Sequence, residues 1–417
     1  MNCNGIASKV YGHREKAPWR VADNCPPNIE RRNMDKIKER ICSVHNLDKA
    51  FMKRKTCRMW KPSVMDYYLH MNRYNHVLHN QLMADTYEVK PCLCFIICDP
   101  HLRAIQAPHL IDGIIQSSTN SNYLNAQLRP VFLRENCACQ KNKGTDYARE
   151  LFKEQLRRYY RKYGTDGVVW KIDLKSFFAS IDGDALHILN EKYIGNEWVI
   201  SFVEKWGVPQ GSKGLGLGAE TNQTESCLAL HPIDTFFRTV MGCKYTTRYQ
   251  DDIMVILRDK NEARRIQTAL IEELKKYKLT LNKKKTQIYK LTDWYAFLGF
   301  RFTITDSGKV LMKVKKENVK RERRRLRHQR NTLLPSSEIA ISLQCWTANA
   351  SKGNNYFIIR RMEDFAMEII REQREMEKKL ETSQSTIEKL NATLEYVAMM
   401  ADVDISQPEE IKEGGAV

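Results

Sequence analysis

Two carboxylates stand side by side inside an otherwise apolar and aromatic stretch, Tyr245-Thr246-Thr247-Arg248-Tyr249-Gln250-Asp251-Asp252-Ile253-Met254-Val255-Ile256. Tyr245, Thr247 and Tyr249 alternate before the pair, and Ile253, Val255 and Ile256 fill the arm after it, so the stretch reads as strand, tight turn, strand. Adjacent carboxylates repel unless a cation lies between them. Hard divalent ions take carboxylate oxygens and leave positions for substrate phosphates. Taken alone, a solvated acidic hairpin turn would explain the pair as well. The deciding feature lies upstream, where the apolar run Val168-Val169-Trp170-Lys171-Ile172 ends in Asp173 and leads to Phe177-Phe178. A third carboxylate at a strand end can join the turn pair and hold two metals, which stabilise the attacking and leaving oxygens of an in-line phosphoryl displacement.

A strand-borne Asp followed by Tyr-x-Asp-Asp, with Asp251 lying 251 − 173 = 78 residues after Asp173, resembles the palm of reverse transcriptases. The resemblance covers roughly residues 88–360, its motifs in the family's order. It implies an α+β fold: a right-hand polymerase palm and fingers with an antiparallel sheet, then a helical thumb and a C-terminal long helix. It also implies RNA-directed DNA polymerase activity, with Asp173, Asp251 and Asp252 as catalytic residues and metal ligands. Two Mg²⁺ ions (or Mn²⁺), dNTP substrates, a template RNA and an RNA/DNA duplex would be the partners.

The chain has 417 residues, enough for two or three domains, and 42% hydrophobic residues, enough for a core. The expected division is 1–87, a mostly helical N-terminal extension; 88–165, fingers; 166–305, palm; 306–362, a basic helical thumb; and 363–417, a coiled-coil-like helix with a disordered tail. A formal net charge of +18 favours polyanionic partners, a property that ribosomal and chromatin proteins share. Twelve cysteines occur with no CxxC pair and no signal peptide, so buried free thiols in a reducing cytoplasm are expected rather than zinc sites or disulfides. No apolar run reaches membrane-spanning length.

Residues 1–30 have no clear period; 33–79 are helical and basic, suiting either RNA contact or a solvated cap. Phe95-Ile96-Ile97-Cys98, a turn at Asp99-Pro100 and Arg103-Ala104-Ile105 read as a hairpin, followed by a helix opening at Pro108. This is similar to a fingers hairpin in which Arg103 meets the incoming triphosphate. Gly113 stands where the family usually has Arg. Ala138–Ala148 is similar to the "R-x-G-K-G-T-h-x-A" segment, a context that favours this reading of Lys141 and Lys143 over a solvated loop. Phe178, five residues past Asp173, matches the aromatic that stacks under the sugar and excludes a 2′-hydroxyl; one of Phe177 and Phe178 must be core. The carbonyl of Ile172 or Leu174 is a further metal-ligand candidate.

Glycines at 207–218 before a helix allow close backbone approach to a nucleotide. Two alignments compete there. Pro209-Gln210-Gly211 resembles the P-Q-G of intron and retroviral enzymes. Leu217-Gly218-Ala219-Glu220-Thr221-Asn222-Gln223 resembles the motif of diversity-generating retroelements, with Gly218 and Gln223 at the nucleotide, and is the preferred match because it continues without a gap. Asn261–Tyr277 has the spacing of a helix packed under the sheet. Leu281-Asn282-Lys283-Lys284-Lys285-Thr286 resembles "L-N-x-x-K-T", placing Lys285 near the triphosphate, and Tyr295–Phe302 resembles the hairpin whose Leu298 and Gly299 grip the primer end. From Lys313 to Arg330 ten Lys and Arg face Glu317 and Glu322, with Met312, Val319, Leu326 and Leu333 every seven residues, reading as a basic helix with one apolar stripe. Lys316, Lys320, Arg323, Arg324 and Arg327 are its nucleic-acid-binding candidates.

Beyond residue 363 apolar residues recur at heptad spacing, suiting self-association or an accessory-protein helix through 363–400, or packing on the chain's own thumb. For the biological role, a diversity-generating retroelement is the first expectation. A defence-associated enzyme copying a noncoding RNA, or a non-catalytic RNA-binding scaffold, are the alternatives.

Overall fold

A computed structural model describes residues 34–98, 102–332 and 334–400. The sequence readings at residues 1–30, at the Asp99-Pro100 turn, at Leu333 and at 405–417 lie outside them. The chain divides into two compact units, the second beginning at Trp294, with Asp306–Gly308 belonging to the first.

In unit 1 the four-stranded antiparallel sheet is built from β3 (Val168–Ile172), β4 (Thr246–Tyr249), β5 (Asp252–Leu257) and β6 (Gln287–Lys290), in the order β4-β5-β3-β6. A separate two-stranded hairpin joins β1 (Leu93–Cys98) to β2 (Leu102–Ala107). The two central strands, β3 and β5, are largely apolar, and their core takes in helix Lys260–Lys276 through Ala263, Ile266, Leu270 and Leu274. That helix starts where Asp259 accepts hydrogen bonds from the backbone N–H of Asn261 and Glu262, satisfying two free donors of its first turn. A second core takes in the N-terminal helices: Ile41, Leu47 and Phe51 pack with Ile114, Leu124 and Val203. The N-terminal segment is thus built into the fold, and Lys38 ties it further through Asp85 at 2.7 Å.

Unit 2 opens with a three-stranded sheet, β7 (Tyr295–Phe297), β8 (Phe300–Ile304) and β9 (Val310–Val314). Leu298 and Gly299 form its first turn with φ of +43° and +84°, the left-handed backbone that a two-residue hairpin turn requires. Helices Lys316–Asn331, Ser336–Ala350 and Tyr356–Met400 follow. The basic helix starts later than its heptad pattern suggests: Met312 sits on β9, where Val310, Met312 and Val314 alternate inward. Asn354 and Asn355 fix that strand's edge, accepting from the N–H of Met312 and Val314 at 3.0 and 2.9 Å.

The cysteine expectation holds in part. Cys42, Cys137, Cys227 and Cys243 are buried, but Cys92, Cys94 and Cys98 are exposed, because no layer among the described residues covers the β1–β2 hairpin. No helix among the described residues is long and apolar enough to cross a membrane.

Candidate active site

The turn that carries Asp251 and Asp252 is shaped by its ladder. Tyr249 pairs with Asp252, leaving Gln250 and Asp251 as a two-residue turn, with Gln250 at φ +53°. On its other side β5 pairs with β3, with Ile172 opposite Ile253. One residue further along this antiparallel register, Asp173 follows Ile172 as Asp252 precedes Ile253, so Asp173 and Asp252 stand at neighbouring strand ends. Burial first, then Asp252 and Asp173, push the Asp251 carboxyl above the usual range, while Lys285 pulls it down. The three carboxylates and Lys285 therefore share one electrostatic neighbourhood.

Asp173 is held by the segment Leu281–Thr286. The Asn282 amide donates to Asp173 Oδ2 at 2.8 Å, the Asn282 N–H donates to the Asp173 carbonyl at 2.9 Å, and the Asp173 N–H donates to Thr286 Oγ1 at 3.3 Å. Beside Lys285, the motif's Asn282 and Thr286 are the sequence signal for this support of Asp173. Among the described residues no three His, Cys, Asp or Glu side chains converge as a ready metal cluster. Asp173 instead turns one oxygen to Asn282.

Behind the turn lies Arg248, wholly buried. Its Nε and Nη2 donate to the Asp234 carboxylate at 2.6 and 2.5 Å, and Nη1 donates to the Gln250 carbonyl at 3.1 Å. Burial opposes its charge, but the Asp234 charge and hydrogen bonds more than offset this and hold its pKa above the usual value. The Gln250 side chain is locked as well. Its amide donates to Gln223 Oε1 at 3.2 Å, and its oxygen accepts from Ser226 Oγ at 2.8 Å. Gln223 is thereby fixed to the Gln250–Asp251 turn. It also lines a cleft of about 690 Å³ with Lys53, Arg129, Lys141 and Glu220.

Phe177 is the core member of the aromatic pair and Phe178 is half-buried. Arg103 lies exposed on β2 opposite Ile97. At Gly216 and Gly218 the close approach is to the β1–β2 hairpin. A Cβ would fall 2.1 Å from Gln106 Oε1 at the first and 2.5 Å from the Gln106 carbonyl at the second, and the Gln106 N–H donates to the Leu217 carbonyl. Lys143 is no solvated loop residue: its ammonium donates to the Asn136 carbonyl at 2.8 Å. Gly113 is filled from outside its own helix. A Cβ there would sit 2.3 Å from the Arg54 guanidinium, which pairs with Glu220 at 3.3 Å, as does Lys53 at 2.9 Å. These partners lie 166 and 167 residues apart and left no local signal.

In unit 2, the Gly299 carbonyl accepts from the Asn318 amide at 3.2 Å. Lys316, Lys320, Arg324 and Arg327 are exposed along one helix, whereas Arg323 is half-buried beside Phe365.

Residues 117–302 match the family model described as reverse transcriptase (RNA-dependent DNA polymerase). The match contains all three carboxylates and supports RNA-directed DNA polymerase chemistry in general. No curated protein matches the chain. Among solved structures, a telomerase from Candida albicans in complex with a TWJ fragment of telomeric RNA is 12% identical, with a TM-score of 0.43; the alignment covers 69% of this chain and 59% of that one. An apo telomerase from Candida tropicalis is 14% identical at a TM-score of 0.42, covering 72% and 59%. The same telomerase truncated from its C-terminal domain is 13% identical at 0.40, covering 55% and 56%. The chain thus spans under two thirds of the length of each.

Proposed function

We propose that this chain is an RNA-directed DNA polymerase that copies a dedicated RNA template into cDNA, with Asp173, Asp251 and Asp252 at the reaction centre. One observation carries the reading: the β3–β5 register brings Asp173 to the strand end beside Asp252, at a turn where Asp251 already suffers from neighbouring negative charge. Hard oxygen donors under mutual repulsion are a fitting set for a divalent cation. Asp173, Asp251 and Asp252 would hold two Mg²⁺, or Mn²⁺. When bound, such ions supply charge to the attacking and leaving oxygens of a phosphoryl displacement.

The chain's own groups prepare that site. Asn282 orients Asp173, and Arg248 with Asp234 fixes the turn from behind. Lys285 adds positive charge at the turn, where a triphosphate would arrive. Arg103 on its exposed strand would meet the same triphosphate, and Phe178 would exclude a 2′-hydroxyl. The Leu298–Gly299 turn would hold a primer end, and the exposed Lys316, Lys320, Arg324 and Arg327 would take duplex phosphates.

For the biological role we favour a diversity-generating retroelement, because Gln223 is joined to the catalytic turn through Gln250. A polar side chain placed there can alter how a mispair is tolerated, since discrimination rests on polar groups left unpaired. The test is primer extension on a mixed RNA template with dNTPs, followed by sequencing of the product. Incorporation with errors concentrated at template adenines is expected. Uniformly low error, or a repetitive product from one RNA segment, would favour a defence role. RNA binding without incorporation on any template would favour a scaffold.

A further inference from the structure

The helix Tyr356–Met400 is covered along one part and bare along the rest. Met362, Ala366, Ile369 and Gln373 are at most 2% exposed. The apolar members of that group pack against Leu326, Ile339 and Leu343, and the Gln373 amide donates to the Arg330 carbonyl at 2.7 Å. Their alternating spacing of four and three continues unbroken through Met376, Leu380, Ser383, Ile387, Leu390, Leu394 and Val397. In this second run Leu380 is 62% exposed, Ile387 55%, Leu390 58% and Leu394 58%. One heptad seam is therefore an internal interface in its first half and faces water in its second. An exposed apolar stripe of this regularity marks an interaction surface.

We propose that residues 376–397 pair with the same segment of a second copy of this chain as a two-stranded coiled coil. Continuity is the first support, because the free seam extends an interface the fold already uses. Charge placement is the second. Flanking residues choose coiled-coil partners by their charges. Beyond Glu377 and Lys379 the flanks here are uncharged: Thr386 and Thr393 on one side, Gln384 and Asn391 on the other. Glu381, Glu388 and Glu395 all fall outside the seam and its flanks. Beyond Glu377 and Lys379 the seam repels nothing in its own copy and offers nothing to attract a charged partner.

The carboxylates that would clash in a self-pair are Glu372 and Glu377, and the chain's own contacts occupy both. Glu377 accepts from the Ser336 N–H at 2.7 Å and from its hydroxyl at 3.0 Å, and Glu372 pairs with Arg330 at 2.8 Å. The self-pairing seam thus begins where the internal one ends. It runs for 397 − 376 + 1 = 22 residues, about 33 Å of helix.

The test is light scattering of the nuclease-treated full chain across a range of concentrations. Wild type should reach twice the chain mass of 48.8 kDa, and Ile387→Glu with Leu394→Glu should halve it. Because neither residue touches the described core clusters, circular dichroism should show the fold retained. Glu388→Lys with Glu395→Lys, on the outer face, should stay paired. A wild type that remains at one chain mass, a seam variant that stays paired, or an outer-face variant that separates would overturn the proposal. A mass above two chains would overturn the two-stranded form.

Discussion

Two hairpins of unit 1 are built from comparable sequence and meet opposite fates. The arm Leu93–Cys98 is as apolar as the arm Asp252–Leu257, yet all six residues of the first are exposed and five of the second are buried. The difference lies in their neighbours. β5 has β4 on one side, β3 on the other and a helix packed against their sheet, whereas among the described residues β1 and β2 pair only with each other. Composition selects a strand, but the surrounding layers decide whether its apolar face finds a core. The consequence for function is a division of labour. The Asp251–Asp252 pair sits on the hairpin held by β3 at its side and by Arg248 from behind, and Arg103 rides on the exposed one.

Breaking the rigid hairpin should have the largest effect on stability. Arg248→Met leaves Asp234 buried without its partner and should cost about 3–5 kcal/mol in urea unfolding. Adding Asp234→Leu should recover most of that loss, since an apolar pair of similar volume leaves no stranded charge. Loosening only the carboxylate's support should be milder. Asn282→Ala should lower kcat by about 10–100-fold with KM for dNTP little changed, because Asn282 orients Asp173 without meeting substrate.

A third test probes the helix that carries Gln223. Burial raises the Glu225 carboxyl from 4.5 to about 8, so the folded state keeps a proton that the unfolded chain releases. The native state therefore binds more protons between these values, and stability falls as pH rises from about 4.5 toward 8. Glu225→Gln should remove that slope, about 1.4 kcal/mol per pH unit at most, in unfolding measured between pH 5 and 8. The smallest effect belongs to the exposed hairpin, where Ile96→Thr should change stability by no more than about 0.5 kcal/mol. A loss comparable to that of Arg248→Met would mean that the hairpin is covered in solution and the contrast false.

Local features were legible in the sequence and distant ones were not. The strand–turn–strand at 245–256 and the helix under the sheet follow from periods of two and 3.6. The approach of Asp173 to the turn came through the resemblance of its motif. Met312 fits a seven-residue apolar spacing and also the strand alternation of Val310, Met312 and Val314, and the strand is what forms. The glycines at 216 and 218 were legible as sites of close approach, but their partner, Gln106, lies on a hairpin more than a hundred residues earlier. Arg54 filling the space at Gly113, and Arg248 reaching Asp234, likewise depend on tertiary neighbours that no local pattern encodes.

The most direct test of the central claim asks whether the carboxylates of two different strands act as one unit. Single-nucleotide incorporation on an RNA template should be measured for wild type, Asp173→Asn, Asp252→Asn and the double variant, with RNA binding followed in parallel. Each single change should reduce incorporation by about a thousandfold or more, and the double should be no worse than either, because residues that share one function lose it once. RNA affinity should remain close to wild type. Small losses that multiply in the double variant, or incorporation that survives all three changes, would contradict the site.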